Sequence, residues 1–416
     1  MCEMLHNVDS EISGLLRRES SRERRTINLI ASENYVSRAI REAVGSLLTN
    51  KYAEGYPQKR YYGGCGFVDE VESLARERAM CLFGADHANV QPHSGSQANM
   101  AVYLSSIRPG DTLMGMNLSS GGHLTHGAHV SFSGMFYKSL FYSVNRDTGL
   151  LDYDEIAKLA REHRPQMIVC GASSYPRKID FSRFAEIAKE TGALLCADIA
   201  HIAGLIAAGL HPSPVGCAHF VTSTTHKTMR GPRGGFLLCN AEYAEKVDKA
   251  LFPGIQGGPL LHVIAAKAVA FYLAEKESFQ HYQQKILLNA RRLSEELALR
   301  GFSLLTGGTE NHLILIDLRN KSITGNKAQD FLEKAGIVTN RNAIPFDPLP
   351  PGITSGIRLG TPAVTTRGMQ QEDMATIASF IEEAFASSDS EKKLKQLHTR
   401  VARFASSFPL YSDETT

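Results

Sequence analysis

Between residues 89 and 239 short apolar runs alternate with amphipathic helical stretches, and few folds accommodate that rhythm. Thr112 Leu113 Met114, Leu140 Phe141 Tyr142, Met167 Ile168 Val169 Cys170, Ala193 Leu194 Leu195 Cys196, residues 218–222 and Phe236 Leu237 Leu238 Cys239 read as strands. Residues 154–162 and 181–191 between them carry a helical period. Such alternation builds crossover units, and these build a largely parallel sheet covered by helices, so the expected class is α/β. A long apolar helix at 260–275 reads as the link to a second domain, with helices at 279–300, 328–335, 372–386 and 390–405 and strands at 313–318 and 356–360. The division expected is an N-terminal arm and helix at 1–50, a large domain at 51–275 and a small one at 276–416. Residues 50–64, dense in tyrosine and glycine, read as a long loop, either functional or an interface segment.

The 45 basic and 43 acidic residues leave a formal charge of +2. That balance argues against nucleic acid or an anionic membrane as the main partner. The first residues show no secretory pattern and no apolar run is long enough to span a membrane. The cysteines at 2, 65, 81, 170, 196, 217 and 239 form no CxxC pair, which fits reduced thiols in a cytoplasmic enzyme.

Three features suggest chemistry. Ser94 Gly95 Ser96 Gln97 stand before a helical stretch, where free backbone N–H groups and the positive dipole end suit a phosphate; the same residues also make an ordinary helix cap. Asp198 follows an apolar strand, where it either caps a turn or partners a protonated ring nitrogen. Lys227 lies in Thr224 Thr225 His226 Lys227 Thr228 Met229 Arg230 Gly231 Pro232 Arg233 Gly234 Gly235, between a strand and a glycine-rich turn. Held out of water beside cations, such an amine forms a Schiff base with a carbonyl; otherwise the stretch is a solvated basic loop. Pyridoxal 5'-phosphate needs a phosphate cradle, an acid and a lysine in one pocket, and the three together favour it. His123, His126 and His129 are evenly spaced, but no carboxylate or thiolate lies near them along the chain, so no metal is assigned. Arg358, on a short strand between Gly356 and Gly360, suits bidentate capture of a carboxylate, or lies on a surface edge.

The motifs LIASEN (29–34), NKYAEGYPQKRYYGG (50–64), PHSGSQAN (92–99), GGHLTHG (121–127), ADIAHIAG (197–204), TTHKTMRGPRGG (224–235), FPGIQGGP (252–259) and TSGIRLGTP (354–362) come in the order and kind that resemble serine hydroxymethyltransferase over nearly the whole chain. The resemblance implies a fold-type I pyridoxal-phosphate transferase: a large domain with a mostly parallel seven-stranded sheet between helices, and a smaller α+β C-terminal domain. It implies that Lys227 carries the coenzyme covalently, Asp198 pairs with its ring nitrogen, His123 stacks on the ring, and His201 and Ser173 reach its hydroxyl side. Ser94, Gly95, Ser96, Gln97 and His226 would line the phosphate, and Arg358 and Ser32 the substrate carboxylate. Tyr52, Glu54, Tyr62 and Gly258 would enter from the other subunit of a homodimer, with Glu54 as the proton-transfer residue. Leu118, Gly122, His123, Leu124 and Asn342 match tetrahydrofolate positions. Gly231, Gly234 and Gly235 would let backbone pass close to the coenzyme.

The implied reaction is reversible conversion of serine and tetrahydrofolate to glycine and 5,10-methylenetetrahydrofolate. Where relatives usually read Ser-Pro-Phe beside the folate site, this chain has Pro350 Pro351 Gly352, and the lost aromatic leaves open a folate-independent aldolase acting on 3-hydroxy amino acids such as threonine. From another class comes a catalytically idle dimer acting as a binding protein.

Overall fold

The computed structural model describes residues 3–411, so Cys2 lies outside the described residues. Strands β1 (His87–Asn89), β2 (Thr112–Met116), β3 (Lys138–Tyr142), β4 (Met167–Cys170), β5 (Leu194–Asp198), β6 (Phe220–Thr224) and β7 (Gly235–Cys239) form one sheet in the order β1-β7-β6-β5-β4-β2-β3. The strands from β2 to β6 are parallel, and β7 alone runs antiparallel to both its neighbours, β6 and β1. The expected mostly parallel sheet is therefore the one found.

Alternate residues of each strand enter opposite cores. Ile168, Leu195, Val221 and Leu238 face one apolar cluster, while Met167, Val169, Cys196, Phe220 and Leu237 face the other. A sheet buried on both faces needs apolar residues at every position, which is why these strands read as continuous runs. Parallel strands also end at one edge. The segments after β2, β4, β5 and β6 leave the sheet there together, and such an edge is where ligands bind in α/β proteins.

A second, antiparallel sheet holds β8 (Ser303–Leu304), β9 (Leu313–Asp317), β10 (Asn340–Asn342) and β11 (Gly356–Gly360) in the order β8-β9-β11-β10. Its core joins Ile314, Ile316, Ile357 and Leu359 to Phe331, Ile377 and Leu397 from the covering helices. The helix Glu277–Leu299 bridges the two bodies: Phe279 packs in the core of the large sheet, and Leu293 and Leu297 in that of the small one.

The N-terminal arm has no core of its own. Ile27–Asn28 pairs in parallel with Ile337–Val338, and Ile27 and Leu29 join the C-terminal core. Arg367 donates to the carbonyls of Glu23, Arg24 and Thr26, satisfying acceptors that the end of the helix Ser10–Arg25 leaves open. Residues 50–64 are a loop closed by a two-residue ladder, Gly55–Tyr56 with Lys59–Arg60. Arg60 anchors it, with Nε 2.8 Å from Asp69 and a guanidinium nitrogen 2.7 Å from Glu72.

Candidate active site

At the edge where β5 and β6 end, Asp198 is the last residue of its strand and Lys227 follows the next by three positions. The Asp198 carboxylate is wired in place. Its Oδ2 accepts from Asn99 Nδ2 at 2.9 Å and from His126 Nε2 at 3.0 Å, and its Oδ1 accepts the Ala200 N–H at 3.0 Å. The tautomer of His126 follows: Nδ1 accepts the His123 N–H at 3.3 Å, so the ring proton is on Nε2. Burial pushes the Asp198 carboxyl up, but the bond from His126, the imidazoles of His126 and His123 and the bond from Asn99 outweigh it and hold the group well below the usual carboxylate range. It stays ionised while buried, as an acid paired with a protonated ring nitrogen must.

Asn99 is itself fixed, donating to Thr125 Oγ1 at 2.8 Å and accepting from Thr222 Oγ1 at 2.6 Å. Thr125 in turn offers its N–H and hydroxyl to His123 Nδ1 at 3.2 and 2.8 Å. Burial and the neighbouring His126 draw the His123 pKa down to about 4, so the ring is neutral at pH 7. A neutral, oriented imidazole suits stacking on a flat aromatic ligand.

Lys227 Nζ lies 3.2 Å from Thr224 Oγ1. Burial, with Arg358 and Arg233 adding to it against the pull of Asp198, lowers its pKa to about 8. That makes it a nucleophile near neutrality.

Two cavities share Lys227 as a wall. The first, about 290 Å³, is lined by Ser94, Gly95, Ser96, His123, Asp198 and His226 among others. The second, about 630 Å³, is lined by Leu118, Gly122, Leu124, Asn342, Pro351 and Arg358 among others, and shares Ser32, His123, Ser173 and His201 with the first. Arg358 is 9 % exposed, bonded through Nε to Asn340 Oδ1 at 3.2 Å and through Nη1 to the Ser173 carbonyl at 2.6 Å. No carboxylate of the described residues pairs with it. Burial draws its pKa to about 10.

A sequence model of the serine hydroxymethyltransferase family matches residues 5–381. The chain belongs to this family. Serine hydroxymethyltransferases are pyridoxal-phosphate-dependent one-carbon transferases of fold-type I, so the chain is an enzyme of that class.

The residues fit the coenzyme. Gly95 and Ser96, which open the helix Gly95–Ser106, line the smaller cavity together with His226, Arg233, Asp198, His123 and Lys227, and a helix start suits a phosphate. Ser94, Gly95, Ser96, Ser173 and His201 line the cavity, and so does Ser32, which the resemblance gives to the substrate carboxylate. Gln97 does not: its N–H is 3.2 Å from the Ser94 hydroxyl, which caps the helix, and its Oε1 is 3.1 Å from the same group. The five folate-side residues come together in the larger cavity.

Tyr52, Glu54, Tyr62 and Gly258 gather elsewhere, away from both cavities. The Tyr52 hydroxyl is 3.4 Å from Glu54 Oε1, the Tyr52 and Tyr62 rings meet edge to face at 4.9 Å, and Gly258 packs on the Tyr52 ring. At the glycine turn a Cβ on Gly235 would overlap the Ser94 carbonyl, and one on Gly234 the Lys267 stem.

The ground for dismissing a metal fails in space, because Asp198 lies within 4.8 Å of ligand atoms of both His123 and His126. His129 turns away to Phe141. The hydrogen bonds already described use these ligand atoms in holding Asp198 and His123. Sequence reasoning named Asp198 and His123 but missed Asn99, Thr125, Thr222 and the role of His126; the only signal of Asn99, Thr125 and His126 was being polar inside motifs otherwise read for the cradle and the ring, and that of Thr222 was being polar in a strand read as apolar.

Proposed function

We propose that the enzyme moves the hydroxymethyl carbon of serine to tetrahydrofolate, reversibly, leaving glycine and 5,10-methylenetetrahydrofolate. The observation that carries this reading is the single lysine shared by two cavities, one fitted to the coenzyme and one presenting Arg358 and the folate-side residues. Pyridoxal phosphate, bound through Lys227, supplies an electron sink for charge that develops on the amino acid's α-carbon. Arg358 and Ser32 take the substrate carboxylate; charge-assisted bonds of about 1.5 to 3 kcal/mol each fix its orientation. Asp198, held ionised, keeps the ring nitrogen protonated, and His123 presses on the ring face. A ligand in the larger cavity would lie beside the carbon being transferred, because Ser173, His201 and Lys227 border both spaces. Glu54, presented by the other subunit of a homodimer, receives the serine hydroxyl proton.

The aldolase reading has one structural support: Gly352 leaves open space where relatives carry an aromatic side chain. Serine-to-glycine conversion measured with and without tetrahydrofolate, on wild type and Lys227→Ala, separates the two. Folate-stimulated turnover that Lys227→Ala abolishes is expected; cleavage indifferent to folate would overturn the transfer reading in favour of the aldolase.

A further inference from the structure

Lys267 is 1 % exposed on the helix Leu261–Ala274, whose other buried positions are apolar. Its Nζ donates to the carbonyls of Val90 at 2.6 Å, Pro92 at 3.0 Å and Gly235 at 2.7 Å. Three acceptors need three N–H donors, which an ammonium has and a neutral amine lacks. Burial pulls its pKa down and the charge of Glu72 opposes that, while the three carbonyls, which only the ammonium serves together, hold the proton on. An apolar side chain of similar length would fill the space without burying a charge, so the amine is there for the carbonyls.

Those carbonyls flank the phosphate cradle. Val90 and Pro92 lie between β1 and Ser94, and Gly235 opens β7, its N–H donating to Pro92 O at 3.0 Å. Gln256 clasps the same turn, giving Nε2 to the Gln91 carbonyl and taking the His93 N–H, both at 3.0 Å. The lysine stem passes under the glycine-rich turn after Lys227: a Cβ on Gly234 would stand 2.5 Å from Lys267 Cε.

We propose that Lys267 is a positioning residue for the phosphate end of the coenzyme. By tying Pro92 to Gly235 behind Ser94, it aims the free N–H groups of Gly95 and Ser96 into the cavity, and its buried positive charge backs them. This rests on the pyridoxal-phosphate reading of the site.

The test compares the apoprotein's affinity for pyridoxal 5'-phosphate with that for pyridoxal, which has the same ring and aldehyde without the phosphate. Wild type is expected to prefer the phosphorylated ligand by on the order of 100-fold; no preference there defeats the coenzyme reading itself, independently of Lys267. Lys267→Met should weaken pyridoxal phosphate about tenfold or more while pyridoxal stays within about twofold. Gly234→Ala keeps the amine but displaces it, and should lower the same preference to a smaller degree; it decides the matter if Lys267→Met does not fold. A residue that merely held the core together would weaken both ligands equally. That result, or an unchanged ratio of the two affinities in the variants, overturns the proposal.

Discussion

The proton on Lys227 is set by burial and by three charges that the fold brings together: burial, Arg358 and Arg233 push it off, and Asp198 holds it on. The nucleophile is the free amine, so a pKa of about 8 makes Lys227 far more reactive near neutrality than an exposed lysine near 10.4. The expected behaviour of the apoprotein follows. Trapping of a small aldehyde on Lys227 by cyanoborohydride should speed up with rising pH and level off above a midpoint near 8. Arg358→Met removes a repelling cation and should move the midpoint up; Asp198→Asn removes the attracting anion and should move it down. A wild-type midpoint near that of a free lysine would show that the cavity does not desolvate the amine. Lys227 and Asp198 could be picked out in the sequence because each stands at the end of an apolar strand. The groups that set their protonation could not. Asn99 is 99 residues from Asp198 and His126 is 72, and only the order of strands in the sheet brings them to one carboxylate.

Helices and strands with a clean period were legible to within a few residues, the helix Phe181–Thr191 and the strand β11 among them. The helix behind the cradle begins at Gly95, earlier than its apolar period, since the Ser94 cap outweighs the poor helix propensity of Gly95 and Ser96. The strand β10, Asn340–Asn342, is polar throughout and exists because β11 offers it a ladder. Its existence was therefore invisible, although Asn342 was placed at the folate side by resemblance. The loop after β10 carries Pro350 Pro351 Gly352, where the resemblance implies Ser-Pro-Phe. Pro351 lines the larger cavity, and a Cβ on Gly352 would meet nothing within 4 Å. A side chain there thus starts into open space. Gly352→Phe is expected to lower the KM for tetrahydrofolate on the order of tenfold, about 1.4 kcal/mol, by restoring apolar contact. The KM for serine should stay unchanged. An unaltered folate KM would mean that this loop does not border bound folate.

The whole chain displays at its surface groups that its own cavities do not use. Tyr52 is 54 % exposed, Tyr61 75 % and Phe67 85 %, on or beside the loop that Arg60 pins to the large domain. The loop holds these aromatic rings out to solvent with Glu54 half-buried beside Tyr52, and large exposed apolar groups of this kind mark association. In a two-fold dimer each loop would reach the partner's cavity, so every site would take Lys227 from one chain and Glu54 from the other. Two inactive variants should then rescue one another. Lys227→Ala and Glu54→Gln, each inactive alone, are mixed and left to exchange subunits. Random exchange makes half the dimers hybrids, and each hybrid has one site with both residues intact, so activity should return to about a quarter of wild type. Sites built within a single chain would give no recovery, because every chain in the mixture lacks one of the two residues. The mixture must be shown to contain hybrids, for instance by tagging one variant and recovering the other with it. With hybrids present and activity absent, Glu54 would not act across the interface, and the exposed loop would need another explanation.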